Sequence, residues 1–260
     1  MSGFFTDGSA YERLMGRWSR LAGSAFIDWL ALPAGLRWLD VGCGNGAFTE
    51  ELIAKAAPAA VSAIDPSAGQ LDFARTRAGV ALAEFRQGDA QALPFGDDQF
   101  DVAVMALVIA FLPDPAKAVA EMARVVRPGG WIATYMWDGA GGGSPLAPLT
   151  AAARSLGMVS PGAPSPEASG LDAMRGYWTG AGLDAITTTV LRIPVVHDSF
   201  DAFWEANSLP VGPGGQMIER LSQADRERLR ERLREHLTIG ADGRIAYEAR
   251  ANAVKGRVPA

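Results

Sequence analysis

The chain is poor in both cysteine and histidine. Cys43 is the sole thiol among 260 residues, and His197 and His236 are the only imidazoles. A single thiol excludes an internal disulfide and any cysteine-built zinc cage. Two histidines leave a metal site to rest mostly on carboxylates, and none of the metal-ligand spacings is present, so no metal is expected. Surplus positive charge is missing too. Twenty-four Lys and Arg stand against 29 Asp and Glu, a formal net charge of -5 with a pI near 5.1. That sign disfavours broad contact with phosphates, so no nucleic-acid partner is expected. No apolar run reaches membrane-spanning length, and MSGFFTDGSAYERLMGRWSR lacks the apolar centre of a secretory leader. The expectation is a cytoplasmic location without a membrane partner. Hydrophobic residues make up 48% of the chain, enough for one sizeable core with a covering part.

What is present is an alternation of short apolar runs and helical periodicities. Residues 36–41 (LRWLDV), 60–64, 82–86, 100–109 and 131–136 read as strands. The fourth is the longest and suits burial on both faces. Between them, residues 45–56 have helical spacing at Phe48, Leu52 and Ile53. Ser67 caps a helix through Leu71, Phe73 and Ala74. Asp114 caps another that carries Ala118, Val119, Met122 and Val125 and is stopped by Pro128, Gly129 and Gly130. Strand and helix repeating at this interval predict a parallel sheet covered on both faces.

The pattern then changes. Residues 139–143 and 145–166 are rich in Gly, Pro, Ala and Ser and read as a flexible or loosely helical connection. A helix over 171–181, ended by Gly182, precedes a strand over 185–196. Ser199 opens a helix with Phe200, Phe203 and Trp204, and residues 209–215 read as a loop. Residues 244–254 alternate like an edge or antiparallel strand. The segment 222–237 carries Arg226, Arg228, Arg230, Arg232 and Arg234, but Glu227, Glu231 and Glu235 lie at spacings that allow intrahelical pairs. With Leu229 and Leu233 on one stripe, it reads as a solvated amphipathic helix rather than a nucleic-acid face.

The chemistry concentrates in Leu39-Asp40-Val41-Gly42-Cys43-Gly44-Asn45-Gly46, between an expected strand and an expected helix. Glycines at 42, 44 and 46 let the backbone turn sharply and approach a ligand closely. The helix behind them presents free amides, and Asp40 ends the strand where doubly wound sheets bind ligands. The spacing is G-x-G-x-G, not the G-x-G-x-x-G that cradles a dinucleotide pyrophosphate. Asp65, nineteen residues beyond Gly46, ends the second strand, where a carboxylate can accept both hydroxyls of a ribose. Pro66 and Leu71 offer apolar contact to a base. After the third strand, Asp89 can accept from an adenine amino group while the Ala90 amide meets a ring nitrogen. Any one of these aspartates could be a capping residue; three after three successive strands point to a nucleoside. Cys43, with no activating base nearby in sequence, reads as a small space-filling residue under the turn.

LDVGCGNGAF, AIDPSAGQL, GDAQALPFGDDQFDVAV and RVVRPGGWIATYMWD, in that order, resemble the motifs of class I S-adenosylmethionine-dependent methyltransferases, and most of all the type-11 group that includes quinone-biosynthesis C-methyltransferases. The resemblance is specific over residues 39–138 and looser at YERLMGRWS, around Trp204 and at RERLRERL. It implies a Rossmann-like, doubly wound α/β sheet of seven strands, mostly parallel with one antiparallel strand near the C-terminus, plus a helical cover. The whole would be a single methyltransferase domain, with residues 1–35 as an N-terminal helical cover and 139–182 and 197–240 as acceptor-side insertions. It further implies that Gly42 and Gly44, with Asp40 and Asn45, face the methionine part of S-adenosylmethionine. Asp65 would bind the ribose, Asp89 and Ala90 the adenine. Ala106 and Leu107 would line the sulfonium, and Tyr11 and Arg17 would fold over the cofactor. Gln70 departs from the pattern, since many relatives carry methionine there.

The acceptor, a small molecule, is not identified by these motifs, nor is the oligomeric state. Trp137 and Trp204 offer aromatic surface to an apolar acceptor or to the sulfonium. Asp138 and His197 could take a proton. The plainer alternatives are that Trp204 is core of the covering helix and that His197 is a surface loop residue before the Ser199 cap. Two other functions fit parts of the pattern. A non-catalytic binder of the same cofactor would carry the same motifs. A nicotinamide-dependent oxidoreductase would share Asp65 but not the glycine spacing.

Overall fold

The computed structural model describes residues 12–159, 162–210 and 212–260. Seven strands form one sheet: β1 (Arg37–Val41), β2 (Ala60–Asp65), β3 (Ala83–Gln87), β4 (Phe100–Ala106), β5 (Val126–Trp137), β6 (Asp184–His197) and β7 (Ile245–Arg257). Their order is β3-β2-β1-β4-β5-β7-β6. All pairs from β3 to β5 are parallel, and β7 runs antiparallel to both neighbours, β5 and β6. The sheet is therefore the mostly parallel, doubly wound one expected, with β7 as its antiparallel strand. The alternation in 244–254 reflects that antiparallel strand, which lies inside the sheet; β6 is the edge.

Helix α1 (Arg17–Leu30) lies in the N-terminal segment for which the resemblance implies helix, and α2 (Ala47–Ala56), α3 (Ala68–Arg75) and α4 (Pro115–Val125) are the ones the periodicity implies. The Ser67 hydroxyl accepts the Gln70 amide at the start of α3, and Asp114 Oδ1 accepts the Lys117 amide, 3.0 Å away, at the start of α4. The apolar side of α1 (Trp18, Ala22, Phe26, Leu30) meets Tyr135, Val102 and Val104 on one sheet face. Val119, Met122 and Val125 of α4 meet Ala103, Met105 and Ile132 on the other. Of the N-terminal segment expected as a cover, α1 is thus a layer helix. A π-helical turn, Glu12–Gly16, precedes it.

The second half adds α5 (Ala147–Ser155), α6 (Leu171–Gly180), α7 (Phe200–Asn207), α8 (Gly212–Arg220) and α9 (Gln223–His236). One expected loop, 209–215, is corrected here, and the connection read as flexible or loosely helical takes on defined helix. Residues 145–166 contain α5, and α8 begins within 209–215, because Leu149, Ala152, Met217 and Ile218 join Phe203, Leu229 and Leu233 in a separate small core. That burial outweighs the local preference of Gly and Pro for turns. On α9, Arg228–Asp225 (3.0 Å) and Arg232–Glu235 (3.2 Å) are intrahelical pairs, while Arg230 and Arg234 reach Asp201 of α7. Among the described residues no helix is long and apolar enough to cross a membrane.

Two further boundaries differ from expectation. Pro128-Gly129-Gly130 lies inside β5, not between helix and strand. Gly129 has φ +76°, and a side chain at Gly130 would sit 2.6 Å from the Asp101 carbonyl, so the segment is a bulge pinched against β4, where the register shifts. The fourth strand stops at Ala106, short of the expected 109, because Leu107 turns the chain with φ +60°.

Trp178 of α6 is the largest fixed point under the C-terminal strands. It is buried, donates its indole N–H to the Ile132 carbonyl at 3.2 Å, and occupies the space that a side chain at Gly256 would need. Trp178→Ala leaves a cavity and removes the indole hydrogen bond, so urea denaturation will show a loss of about 3–5 kcal/mol. A loss under about 1 kcal/mol would mean the site collapses without cost.

Candidate cofactor and acceptor site

The site begins with a reversal in strand order. From β1 the chain moves outward to β2 and β3, then returns to the other side of β1 for β4 and β5. Connections leave the carboxyl ends of β1 and β4 in opposite directions, opening a crevice between them. Asp40, the Gly42–Gly46 turn, Ala106 and Leu107 all lie at that crevice, and Asp65 is one strand away.

The turn is tightly determined. The Gly42 and Cys43 amides both donate to the Ile64 carbonyl at 2.8 Å, fastening it to the tip of β2. Gly42 has φ +75°, and a Cβ there would lie 2.6 Å from the Val108 side chain; glycine is needed for shape and for space. At Gly44, with φ +51°, nothing among the described residues lies within 4 Å of a would-be Cβ, so that side of the turn is open with respect to them. Asn45 Oδ1 accepts the Ala47 amide at 3.2 Å, which starts α2. Cys43 packs on Ala63 and Leu71 beneath the turn, with its thiol pushed well up by burial; the space-filling reading fits that position.

Asp40 is fully buried. Its Oδ2 accepts the Thr49 hydroxyl at 2.6 Å, while its Oδ1 has no hydrogen-bond partner among the described residues. Burial raises its pKa to about 7; the Thr49 bond opposes the rise and the neighbouring Asp65 charge adds to it. Asp65 is raised from the ordinary value by burial as well, against two backbone donors: Oδ2 accepts the Gly44 amide at 3.0 Å and Oδ1 the Ser67 amide at 2.8 Å. Each Asp65 oxygen retains a second lone pair. Asp89 is exposed; its Oδ1 accepts the Gln91 amide at 2.8 Å, and Ala90 behind it is buried. The neighbouring Gly88 amide donates to the Asp65 carbonyl at 3.2 Å, so the tips of β2 and β3 are joined. Pro66 is half-buried and its carbonyl accepts Gln87 Nε2. Leu71 is buried against Cys43, which leaves little of it for a base, and Gln70 beside it is buried too.

At the other side of the crevice, the Leu107 amide donates to the Tyr135 carbonyl at 2.9 Å while its backbone stays left-handed, an unusual conformation for leucine. Trp137 ends β5, is 6% exposed, and its indole nitrogen has no partner among the described residues. It shares an apolar cluster with Met15, Trp18, Leu107, Leu146, Leu209 and Tyr247. His197 ends β6 opposite Ile245 and is half-buried, with ring centroids 5.8 Å from Trp18, 5.0 Å from Phe203 and 6.5 Å from Tyr247. The loop reading for His197 is corrected by that pairing and those rings. Burial first, and then the nearby Arg17 charge, lower its pKa, favouring neutral imidazole. Arg17 itself stacks on Trp18 at 4.8 Å.

The remaining expectations separate. Asp138 accepts the Gly141 amide through Oδ1 and pairs with Arg250 through Oδ2 at 3.3 Å, so its carboxylate is committed to shaping the 139–143 turn. Trp204 belongs to the small core of the covering helices, not to the Trp137 cluster, because α7 turns it toward α9. Tyr11 lies outside the described residues. Thr49 and Arg77 were missed by sequence reasoning. Thr49 sits in the first turn of α2, directly over Asp40, and helical phase from Gly46 could have found it. Among the described residues no group of three or more His, Cys, Asp or Glu is placed to hold a metal ion.

This geometry defines a Rossmann-like sheet with a crevice at its switch point. In comparison with known proteins, residues 39–134 match the model of a methyltransferase domain. It is 36% identical over 115 residues to the ubiquinone/menaquinone biosynthesis C-methyltransferase of Roseobacter denitrificans, covering 43% of this chain and 46% of that one. It is 39% identical over 97 residues to a fatty-acid O-methyltransferase of Mycolicibacterium smegmatis, covering 37% and 35%. The chain thus spans less than half the length of these curated relatives. The fold as a whole is similar to the crystal structure of the YcgJ protein of Bacillus subtilis, with a TM-score of 0.62 at 20% identity over 92% of this chain and 98% of that one.

Neutral Asp40 contributes stability that is complete below its ordinary value of 3.8 and is lost as the pH rises through about 7. Urea denaturation of wild type and Asp40→Asn at about pH 5 and about pH 8 will therefore show wild type losing ground to the variant at the higher pH. A stability gap that does not change with pH would overturn the assignment.

Proposed function

We propose that this protein transfers a methyl group from S-adenosylmethionine to a small, largely apolar acceptor. The observation that carries the reading is Asp40 Oδ1, a buried carboxylate oxygen without a partner in the crevice of a methyltransferase domain. An α-ammonium set against it would satisfy that oxygen and favour the ionised form. A phosphate would meet two carboxylates, Asp40 and Asp65, at close range, an arrangement that disfavours a dinucleotide. Asp65, with a free lone pair on each oxygen, suits two vicinal hydroxyls. The exposed Asp89 beside Ala90 suits an amino-substituted base. The open side of Gly44 admits the amino-acid portion.

S-adenosylmethionine, when bound, supplies an electrophilic methyl group on a sulfonium. The protein's own part is to orient and to exclude water. Leu107, Trp137 and Trp18 form an apolar wall beyond the ends of β4 and β5. Alignment of reactants in such a setting lowers a displacement barrier by roughly 7–11 kcal/mol. Acidic acceptors then require no dedicated base. For a weaker acid, His197 is the better candidate of the two considered, being neutral and half-buried, whereas Asp138 is bound to Arg250. The relatives' names span a quinone precursor and a fatty acid, in keeping with an apolar acceptor here.

Calorimetry will show S-adenosylhomocysteine binding to wild type and Asp65→Ala binding at least about tenfold more weakly, since each charge-assisted hydrogen bond lost is worth roughly 1.5–3 kcal/mol. Equal affinity of the two proteins would refute the ribose assignment, and binding of NADH alone would refute the methyltransferase reading. Cofactor binding without labelled-methyl turnover across a panel of apolar metabolites would favour a non-catalytic binder.

A further inference from the structure

Arg77, just beyond α3, joins three parts of the chain with three different nitrogens. Nε donates to the Asn45 carbonyl at 2.6 Å, Nη1 to Glu50 of α2 at 2.9 Å, and Nη2 to Glu12 at 2.8 Å. Its side chain is only 11% exposed, and the guanidinium lies 5.6 Å from the Phe73 ring. Charge-assisted bonds sheltered in this way are stronger and more directional than surface pairs.

Each end of the cluster has had space cut for it. A side chain at Gly16 would meet the Glu12 carboxylate at 2.7 Å, and one at Gly46 would crowd Ala74 at 2.9 Å and Arg77 Cδ at 3.5 Å. Glu12 also pairs with Arg20 of α1 at 2.6 Å, and Glu50 accepts the Gly79 amide. The carbonyl that Arg77 holds belongs to Asn45, between Gly44 and Gly46, whose φ values are +51° and +75°. Two left-handed residues flanking one carbonyl form a turn with several accessible shapes, and a fixed donor on that carbonyl selects one of them. Glu12, on the other arm, precedes a turn whose Met15 packs with Trp18 and Trp137 at the acceptor side.

We infer that Arg77 is a positioning residue that couples the shape of the cofactor turn to the docking of the N-terminal segment across the site, through the Asn45 carbonyl on one side and Glu12 on the other. The inference rests on the methyltransferase reading for the identity of the ligand, but not for the coupling itself. Arg77 does not touch the reacting atoms. It sets how much of the cofactor's binding free energy is spent on ordering the turn and the segment. By reciprocity, a ligand on the turn tightens the segment by the same factor that the docked segment tightens the ligand.

The test uses the full chain as wild type, Arg77→Met, Arg77→Lys and Glu12→Gln, with S-adenosylhomocysteine as the probe. Calorimetry gives the dissociation constant, thermal melting the stability, and timed trypsin digestion the rate of cleavage between residues 13 and 20. Coupling predicts that Glu12→Gln weakens the probe by about fivefold and Arg77→Met by more, within the range of about 5–150-fold usual for linked sites. Arg77→Lys, which keeps the charge but loses the three-way geometry, falls between wild type and Arg77→Met. The probe slows cleavage of the segment in wild type and loses that effect in Glu12→Gln. A purely structural role would lower the melting temperature while leaving the dissociation constant and the ligand-dependent protection in place, and that result overturns the inference. If Arg77→Met does not fold, Glu12→Gln decides alone. Wild type that fails to bind the probe would instead defeat the methyltransferase reading, and unequal cleavage rates between wild type and Glu12→Gln without ligand would still reveal that Glu12 docks the segment.

Discussion

Two backbone amides, those of Gly42 and Cys43, converge on the carbonyl of Ile64, and the arrangement of the site depends on that convergence. It locks the end of β1 to the end of β2, directs Asp40 inward and brings the Asp65 carboxylate onto the Gly44 amide. Only glycine permits the turn at position 42, since a side chain there would collide with Val108 on the loop after β4. The crevice is therefore bounded by three elements that are held at fixed separation by one carbonyl and one missing Cβ. The seven-stranded sheet behind it supplies rigidity, with large side chains such as Trp38, Phe26 and Trp178 buried on its two faces.

Electrostatics then decides what fits. Asp40 and Asp65 are both desolvated, the Asp65 charge adds to the rise in Asp40's proton affinity, and the unshared oxygen of Asp40 has no donor among the described residues. A buried carboxylate in that condition is costly unless a cation or a donor meets it. The same pair repels phosphate. A ligand that is cationic at its amino-acid end and carries a diol, as the proposed cofactor does, would resolve the imbalance. At the proposed acceptor side the chemistry reverses: Trp137, Trp18, Leu107 and Tyr247 form an apolar cluster, and burial and the Arg17 charge lower the pKa of His197, favouring its neutral form.

Several of these features were legible in the chain. The cap at Ser67, the cap at Asp114, the glycine turn and the aspartate ending each of β1 and β2 are local, and local rules describe them. The boundaries that moved did so where distant residues intervened. Pro128-Gly129-Gly130 looks like a stop but becomes a bulge, because Gly130 must pass close to the Asp101 carbonyl. Residues 209–215 look like a loop but lead into α8, because Met217 and Ile218 find a core made by α5, α7 and α9. Asp138 looked available for proton transfer, yet Arg250, 112 positions away, claims it.

By itself, the order of residues determined the alternation of strand and helix, the turn chemistry and the identity of the carboxylates at the strand ends, since each follows from spacing within a dozen positions. Tertiary structure alone decided that burial raises the Asp40 pKa to about 7, that His197 sits among three rings, and that Arg77 meets Glu12 across 65 positions. The reason is physical: proton affinity, burial and ion pairing depend on distance through space and on how much water is excluded, and neither quantity leaves a periodic mark along the chain.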